Sequence, residues 1–195
     1  MTKSTFRILS LTFLAFSVLT FNSCKAKKVA ATPAYTDMKE VITPCSDAEF
    51  RSDSKIFRAT GTSSSQDQST CKRKALLDAN TNLAASVNRT IKSVTDRYTN
   101  ERRIGAASDF EEKFDQLVRD VVNQQLSNVT TVCSKMFTKT DGLYYSYIAV
   151  EVQKDELLNN INNNVTNNQK LQLDYDKVKF EKIFNEEMDK LSKEQ

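Results

Sequence analysis

One stretch of the chain repeats small and apolar residues at spacings of four, and this repeat constrains the fold more than any other feature. The members are Cys71, Ala75, Ala79, Leu83, Val87, Ile91 and Val94. Such spacing predicts one side of a long α-helix that packs against a core. Because the stripe begins with small residues and ends with larger ones, we expect the amino-terminal half of this helix to lie close against a β-sheet.

A β-strand is predicted directly before the long helix, within residues 54–65. The residues that would share its inner face are Phe57, Ala59 and Gly61, since side chains alternate between the two faces of a strand. Ser65 and Gln68 follow with the spacing of a capping box, which predicts the start of the helix.

A second helix is predicted after a polar connection at residues 97–109. Ser108 and Glu111 form a second capping box. The apolar side of this helix comprises Phe110, Phe114, Leu117, Val121 and Val122. We expect the helix to end near residues 127–128.

Two β-strands are predicted at residues 129–139 and 143–152, around the turn sequence Thr140-Asp141-Gly142. This is a hairpin pattern, and a short helix would begin at Lys154. The order of elements predicts an α+β fold, in which a small antiparallel sheet of about three or four strands is packed by the long helix and the second helix.

The carboxyl-terminal segment is predicted to be a helical arm. Residues 159–168 contain seven asparagines, which are poor helix formers and indicate a linker. A final amphipathic helix would start near Asp174, with Leu173 and Val178 placed for a hydrophobic staple. The α+β domain would then span residues 45–162, and residues 163–195 would form the linker and the arm. We expect the apolar stripe of the arm to bind a partner; it comprises Val178, Phe184, Met188 and Leu191.

The first 23 residues have the proportions of a bacterial lipoprotein signal peptide. The apolar run at residues 8–21 is fourteen residues long, which is short for a membrane span, and it follows a basic start. Ser23 then precedes Cys24, a pattern that resembles a lipobox, in which the cysteine is acylated and becomes the new amino terminus. The alternative is an ordinary signal peptide with a chance cysteine. Lipidation with palmitate at Cys24 would anchor the protein to a membrane.

Residues 24–44 are predicted to form a flexible tether between the anchor and the domain. Lys25, rather than aspartate, follows the cysteine, so the residue associated with retention in the inner membrane is missing. No acidic run follows. These features favour the periplasmic face of the outer membrane.

Composition excludes several classes of function. Removal of residues 1–23 leaves 26 basic and 25 acidic groups, whereas nucleic-acid-binding proteins usually carry a marked basic excess. The chain has no histidine, which excludes histidine-based acid–base or triad catalysis. No cofactor and no metal site is therefore predicted, and we do not expect an enzyme.

Three cysteines remain besides Cys24, and their separations match no metal or redox pattern. We predict a disulfide between Cys45 and Cys133, because Cys45 lies in an irregular segment with no packing pattern. Cys71 belongs to the helix stripe and is predicted to be a free core thiol. A thiol enzyme based on Cys71 is disfavoured because the chain has no histidine to activate it.

The segment FRATGTSSSQDQSTCKRKALLDANTNLAASV resembles the signature of the LPP-twenty family of outer-membrane lipoproteins. The whole chain, including PCSDAEF and DYDKVKFEKIFNEEMDKL, is similar to the version found in Bacteroidetes-type envelopes. The matching positions are Arg58, Ala59, Gly61, Ser63, Ser64, Lys74, Ala75, Asp78, Ala79, Leu83 and Ala84. The resemblance covers roughly residues 55–160. It implies an α+β domain, like the amino-terminal domain of the flagellar protein FlgT, and a lipid anchor, and it supplies no catalytic residues.

Three further groups of residues allow a binding site as well as a purely structural role. Gly61 and the polar residues after it suit an anion cradle or, more simply, a turn and helix cap. Four acids at the start of the second helix suit a calcium ion or the helix dipole; they are Asp109, Glu111, Glu112 and Asp115. Three tyrosines of the hairpin suit a ligand-stacking surface or packing under a helix; they are Tyr144, Tyr145 and Tyr147.

Two functions follow from the sequence. The first is a non-catalytic, lipid-anchored envelope protein that binds another envelope protein or the cell wall. The alternative is a periplasmic carrier of a small molecule or lipid, with a pocket between sheet and helices. An apolar pocket would favour the carrier, and an exposed apolar stripe on the final helix would favour the interaction module.

Overall fold

The computed structural model describes residues 41–102 and 108–194. Its elements, in chain order, are β1 (Ile56–Ser65), α1 (Gln68–Arg102), α2 (Ser108–Leu126), β2 (Thr130–Thr138), β3 (Tyr144–Gln153), α3 (Lys154–Thr166) and α4 (Lys177–Glu194). This is the predicted order of strands and helices. The segments predicted as a signal peptide (1–23), as a lipidation site (Cys24) and, for the most part, as a tether (24–44) lie outside the described residues.

The three strands form one antiparallel sheet with the order β1–β3–β2. The central strand β3 pairs with β1 from Ile56, opposite Gln153, to Ser65, opposite Tyr144. It also pairs with β2, with a bulge between Thr131 and Cys133. The α+β fold predicted from the sequence is confirmed.

The long helix α1 packs directly on β1. All seven residues of the predicted stripe are at most 4% exposed. A Cβ atom on Gly61 would lie only 2.2 Å from the backbone nitrogen of Ala79 and 2.4 Å from the carbonyl oxygen of Ala75. The small residues at the start of the stripe therefore serve the close approach of the helix to the strand, as the sequence predicted.

Both ends of α1 differ from the sequence prediction. The helix is capped by Asp67, whose Oδ1 accepts a hydrogen bond from the backbone N–H of Thr70 at 2.7 Å, and the predicted capping role of Ser65 is wrong. The helix also continues to Arg102, through part of the segment predicted as a polar connection. The reason is Tyr98, which is 0% exposed and extends the apolar side of the helix by one turn.

The hairpin between β2 and β3 turns through three residues. The Lys139 N–H donates to the carbonyl oxygen of Leu143 at 3.1 Å, and Gly142 adopts a φ of 79°. A positive φ at this position is the usual requirement of a three-residue hairpin loop, and glycine adopts it without steric cost.

The asparagine-rich segment is helical, which corrects the prediction of a linker. Helix α3 runs through it to Thr166. The buried Asn162 donates from Nδ2 to Oε1 of Glu181 at 2.8 Å and accepts from the Tyr175 hydroxyl at 2.5 Å. Tertiary hydrogen bonds of this kind override a weak helix propensity.

Helix α4 belongs to the central core, which corrects the prediction of a partner-binding arm. Phe184, Met188 and Leu191 are 1%, 1% and 7% exposed and join the same apolar cluster as the residues of α1. Val178 is 78% exposed and Leu173 is 87% exposed, so the predicted staple is also wrong. Residues 45–162 and 163–195 therefore do not separate into a domain and an arm, and the described residues lie within one compact unit, Val41–Gln195.

Aromatic side chains hold α4 against α1 and α2. The ring of Tyr98 lies 5.2 Å from that of Phe114 and 5.4 Å from that of Phe180, measured between centroids. On the rim of this cluster, the guanidinium of Arg97 bonds Glu186 at 2.6 Å and Glu187 at 3.3 Å. The final helix is thus fixed by both apolar packing and ion pairs.

Cys45 and Cys133 form a disulfide with an S–S distance of 2.02 Å and a Cα–Cα distance of 5.8 Å. This agrees with the predicted pairing. Cys133 lies on the face of the sheet away from α1, because its partner Ala149 alternates along β3 with the residues that face the helix. The bond therefore holds the segment before β1 across that face.

Candidate interaction surface

The outer edge of β1 is closed by side chains. The Ser52 hydroxyl accepts a hydrogen bond from the N–H of Arg58 at 2.9 Å and donates one to the carbonyl oxygen of the same residue at 3.1 Å. From α1, Asn82 donates to the carbonyl oxygen of Thr60 at 2.9 Å, and Asp78 accepts from the N–H of Thr62 at 3.0 Å. These bonds satisfy backbone groups that a further strand would otherwise use.

The outer edge of β2 is open, because the sheet order places β2 at the end of the sheet with no described strand beside it. Alternate residues of an antiparallel strand direct their backbone groups to opposite sides. The Lys139 N–H points inward and donates to the carbonyl oxygen of Leu143. Counting back from Lys139, the backbone groups of every second residue of β2 therefore point toward β3. The backbone groups of Ser134, Met136 and Thr138 therefore point away from β3.

Most side chains of β2 are exposed. Phe137 is 49% exposed and Val132 is 38% exposed, although large apolar side chains are usually buried. The strand also carries the bulge, which adds Val132 between Thr131 and Cys133. Such bulges are common at sheet edges, where they bend a strand and re-aim its side chains.

An aromatic patch continues from this edge onto the face of the sheet away from α1. The rings of Phe137 and Tyr147 lie 5.9 Å apart in an edge-to-face arrangement, and the Lys139 ammonium sits 4.5 Å from the ring centroid of Tyr145. Tyr145 and Tyr147 alternate with the residues that face α1. The expectation that they pack under a helix is therefore wrong, and only Tyr144 points to the helix side.

The charge of this surface is basic. Lys135 and Lys139 lie on or next to β2, and no acidic residue occurs between Val129 and Thr140. Both lysines are exposed. We call the open edge of β2, together with Phe137, Tyr145, Tyr147 and the two lysines, the β2 surface.

The disulfide fixes β2 on the same face of the sheet that carries the aromatic patch. Cys133 sits next to the bulge and is bonded to Cys45, a buried residue whose backbone adopts a φ of 50°. A strand held by a covalent bond and by pairing along β3 presents its outer backbone groups in a fixed arrangement. Such preorganisation lowers the entropy cost of binding.

The other residues singled out in the sequence have structural roles. Gly61 lies in the middle of β1 under α1, so neither the anion cradle nor the turn forms there. Asp109 pairs with Lys113, and burial raises the pKa of Asp115. Among residues 41–102 and 108–194, no group of three or more potential metal ligands is brought together. The buried Cys71 thiol donates to the carbonyl oxygen of Tyr144 at 3.2 Å.

Polar or charged side chains predominate in three of the clefts that the described part of the chain forms. One of about 390 Å³ lies between α1 and α2, with Asp96 and Asp115 among its walls. A second, also of about 390 Å³, lies between α2 and α3. The third, of about 420 Å³, lies beside the outer edge of β1. None of these linings resembles the apolar pocket that a lipid carrier requires.

No family model, curated protein or solved structure matches this chain. Within the described residues, none of the helices combines the length and apolar character needed to cross a bilayer.

The sequence indicated the hairpin but not the importance of β2. The partial alternation of residues 129–139 is the signal that was available, because it is typical of a strand with neither face fully buried. What it does not contain is the order of the strands, which decides which strand lies at the edge.

Proposed function

We propose that this protein is a non-catalytic, lipid-anchored protein of the outer membrane, on its periplasmic face, and that its domain binds another envelope protein. The lipobox-like Cys24 and the resemblance to the LPP-twenty family support the anchor and the location. The observation that carries the interaction is the open edge of β2, beside partly exposed aromatic rings.

The partner we propose is an extended, acidic segment of a second protein, which adds a strand to the edge of β2. In this mode of recognition, backbone hydrogen bonds supply affinity, and the side chains on alternate positions supply specificity. The outward groups of Ser134, Met136 and Thr138 would form the backbone bonds. Acidic side chains on the added strand would face Lys135.

Charge argues against a second copy of this chain as the partner. Antiparallel pairing of β2 with itself would bring Lys135 and Lys139 of both copies to the same face, with no acid on the strand to balance them. Like charges placed opposite each other across a sheet are destabilising.

The bulge and the lysine also restrict the choice of partner. Lysines and bulges are devices by which natural edge strands avoid unspecific pairing. On β2, the bulge and the lysine disfavour pairing with neutral apolar strands, and the lysine favours pairing with acidic strands. Specificity requires both effects, the repulsion of wrong partners and the attraction of the right one.

The interaction is tested with designed peptides and the full chain in detergent micelles. A nine-residue peptide of alternating glutamate and valine is expected to bind, and a matched peptide of alternating lysine and valine is not. Ser134→Pro removes one outward N–H and leaves the bonds to β3 in place, so it should abolish binding. Fluorescence anisotropy of the labelled peptide measures both. Equal binding of the two peptides, or full binding by Ser134→Pro, would overturn the proposal.

Charge reversal provides the matched control. Lys135→Glu should weaken binding of the acidic peptide at least tenfold, an effect of about 1.4 kcal/mol. Lys72→Glu makes the same change of charge on the exposed side of α1 and should leave binding unchanged. Equal losses from the two variants would indicate attraction to the whole molecule rather than to β2.

The anchor is tested separately by labelling with palmitate. Cys24→Ala should abolish labelling and leave an unprocessed or released chain. Labelling that persists in this variant would contradict lipidation at Cys24. Protease added to intact cells should leave the protein uncut, since the periplasmic face is not accessible from outside.

A further inference from the structure

A second surface feature is independent of the β2 surface. The cleft of about 420 Å³ beside the outer edge of β1 lies between α1 and the segment that precedes the strand. Three arginines contribute to its walls: Arg51 from that segment, Arg58 from β1 and Arg89 from α1. Guanidinium groups are the side chains best suited to binding carboxylates and phosphates, because their planar donors match two oxygens at once.

Only one of the three guanidinium groups is neutralised within the described chain. Arg58 bonds the carboxylate of Glu151 at 2.9 Å and that of Asp53 at 3.1 Å. Arg51 and Arg89 make no ion pair with any described residue, and both are exposed. Two positive charges therefore remain available at the cleft.

The wall of the cleft also contains a buried hydroxyl that lacks a partner. Ser86 is 9% exposed, and its Oγ forms no hydrogen bond with the described residues. Buried hydroxyls are usually satisfied by protein or water. The next hydroxyl along the helix, that of Thr90, bonds the carbonyl oxygen of Ser86 at 2.9 Å. A donor without a partner in the wall of an arginine-lined cleft points to a ligand with acceptor oxygens.

Asp47 limits the charge that the cleft can accept. Its carboxylate lines the same cleft and accepts a hydrogen bond from the Thr60 hydroxyl at 2.5 Å. Two available guanidinium groups facing one carboxylate suit a singly charged oxyanion better than a doubly charged one.

We propose that this cleft binds a singly charged oxyanion, held by Arg51 and Arg89 and by the hydroxyl of Ser86. The chemistry is shared by a carboxylate, as at the end of a peptide, and by a phosphodiester, as in the headgroup of a lipid. Neither source requires the β2 surface, so the failure of one proposal leaves the other standing.

The test uses the full chain in detergent micelles and soluble probes. N-acetylalanine presents a carboxylate, dimethyl phosphate presents a phosphodiester, and N-acetylalanine amide is the uncharged control. Resonances of the arginine Nε–Hε groups report the titration. The charged probes should shift the signals of Arg51 and Arg89, and the uncharged amide should not. Equal shifts with the uncharged amide would overturn the proposal.

The variants separate binding from folding. Arg51→Gln and Arg89→Gln should each weaken binding about tenfold, whereas Arg73→Gln, on the exposed side of α1, should have no effect. Ser86→Ala should weaken binding several-fold without lowering the stability of the chain, because it removes an unpaired buried hydroxyl. Binding that survives within twofold in the double arginine variant would contradict the site.

A vesicle-binding experiment distinguishes a lipid headgroup from a peptide carboxylate as the source of the oxyanion. The non-acylated chain, Cys24→Ala, is mixed with vesicles of phosphatidylcholine alone or with vesicles that also contain phosphatidylglycerol. The same two measurements are repeated with the chain that also carries both arginine substitutions. Dependence on both phosphatidylglycerol and the arginines would assign the site to lipid headgroups. Binding of N-acetylalanine alone would assign it to carboxylates.

Discussion

The two edges of the sheet differ in whether their outward backbone groups are hydrogen-bonded to side chains. The edge at β1 is closed by hydrogen bonds between its backbone and the side chains of Ser52, Asp78 and Asn82. The edge at β2 has no described strand beside it, and its side chains are mostly exposed. Both strands pair with β3 over most of their length. The difference therefore arises outside the sheet, in the elements that lie beside each edge.

The position of α1 explains the contrast. Gly61 allows the helix to approach β1 so closely that side chains on the flank of α1 reach the outer backbone groups of the strand. β2 lies two strands away, beyond this reach, and is fixed instead by the disulfide to Cys45. An edge covered by a helix cannot accept another strand, whereas an edge held only by a covalent bond on its face can.

Removal of the disulfide should have the largest effect. Cys45→Ala together with Cys133→Ala opens a loop with a sequence separation of 88 residues, which corresponds to a loss of roughly 4 kcal/mol in the free energy of unfolding by the entropic account. Urea unfolding of the full chain measures it. The variant should also bind the acidic peptide more weakly, because β2 is no longer pinned.

Cys71→Ala is the control for the disulfide. Cys71 is a buried free thiol, and its truncation should cost about 1 kcal/mol through lost packing. A double variant that is no less stable than this control would show that the bond does not hold β2 in place.

Gly61→Ala should have the next largest effect, because it separates β1 from α1. The added methyl group would meet backbone atoms of Ala75 and Ala79, which cannot move without shifting the helix. We expect a loss of about 3 kcal/mol. Gly142→Ala is the matched control: its Cβ would have no neighbour within 4 Å, so only the positive φ costs energy, about 1 kcal/mol. Equal losses would contradict the close packing of α1.

Alanine substitution of one serine at each edge compares how much the two edges contribute to stability. Ser52→Ala leaves both the N–H and the carbonyl oxygen of Arg58 without their partner, and we expect it to cost about 1.5 kcal/mol. Ser134→Ala, on the exposed β2 edge, should change the stability by less than about 0.5 kcal/mol. Thermal or urea unfolding of the two variants measures this difference, and its absence would mean that the β1 edge is not closed by Ser52.

Much of the fold could be predicted because periodic patterns record local structure. The stripe from Cys71 to Val94 gave α1, and the hairpin followed from alternation around Gly142. The pairing of Cys45 with Cys133 followed from the exclusion of Cys71, whose place in the stripe explains its thiol. Each of these inferences uses residues whose environment is set by their own element.

The errors concern contacts between distant segments. The asparagines of α3 have low helix propensity, and only the bonds of Asn162 to Glu181 and Tyr175 reveal why the helix persists. The apolar side of α4 was recognised, but its spacing does not say whether the core or a partner covers it. The β2 surface and the arginine cleft depend on strand order and on the position of residues 45–53, which no local pattern contains.

One lysine is buried against the segment that closes the β1 edge. Lys154 is 1% exposed; its ammonium donates to the carbonyl oxygen of Asp53 and lies 4.6 Å from the ring centroid of Phe57. Burial lowers the pKa of Lys154 from 10.5 to about 8, although Asp53 and Asp189 oppose the shift. The group thus links the start of α3 to the segment that closes the β1 edge.

The pH dependence of stability follows from the number of protons that the folded and the unfolded chain bind. Between the folded pKa of about 8 and the ordinary value of 10.5, the unfolded chain holds the proton that the folded chain has released. Stability therefore rises with pH in this interval. We expect a gain of about 1 kcal/mol from pH 7.5 to 9, measured by urea unfolding. Above about pH 10 the trend should reverse, because burial raises the pKa of the Tyr175 phenol in the folded chain and the unfolded chain then loses its proton first.

Lys154→Met should abolish the rise in stability between pH 7.5 and 9, and Lys55→Met, at an exposed position, should preserve it. A rise that survives in Lys154→Met would assign the pH dependence to another group and leave the β1 edge without its buried cation.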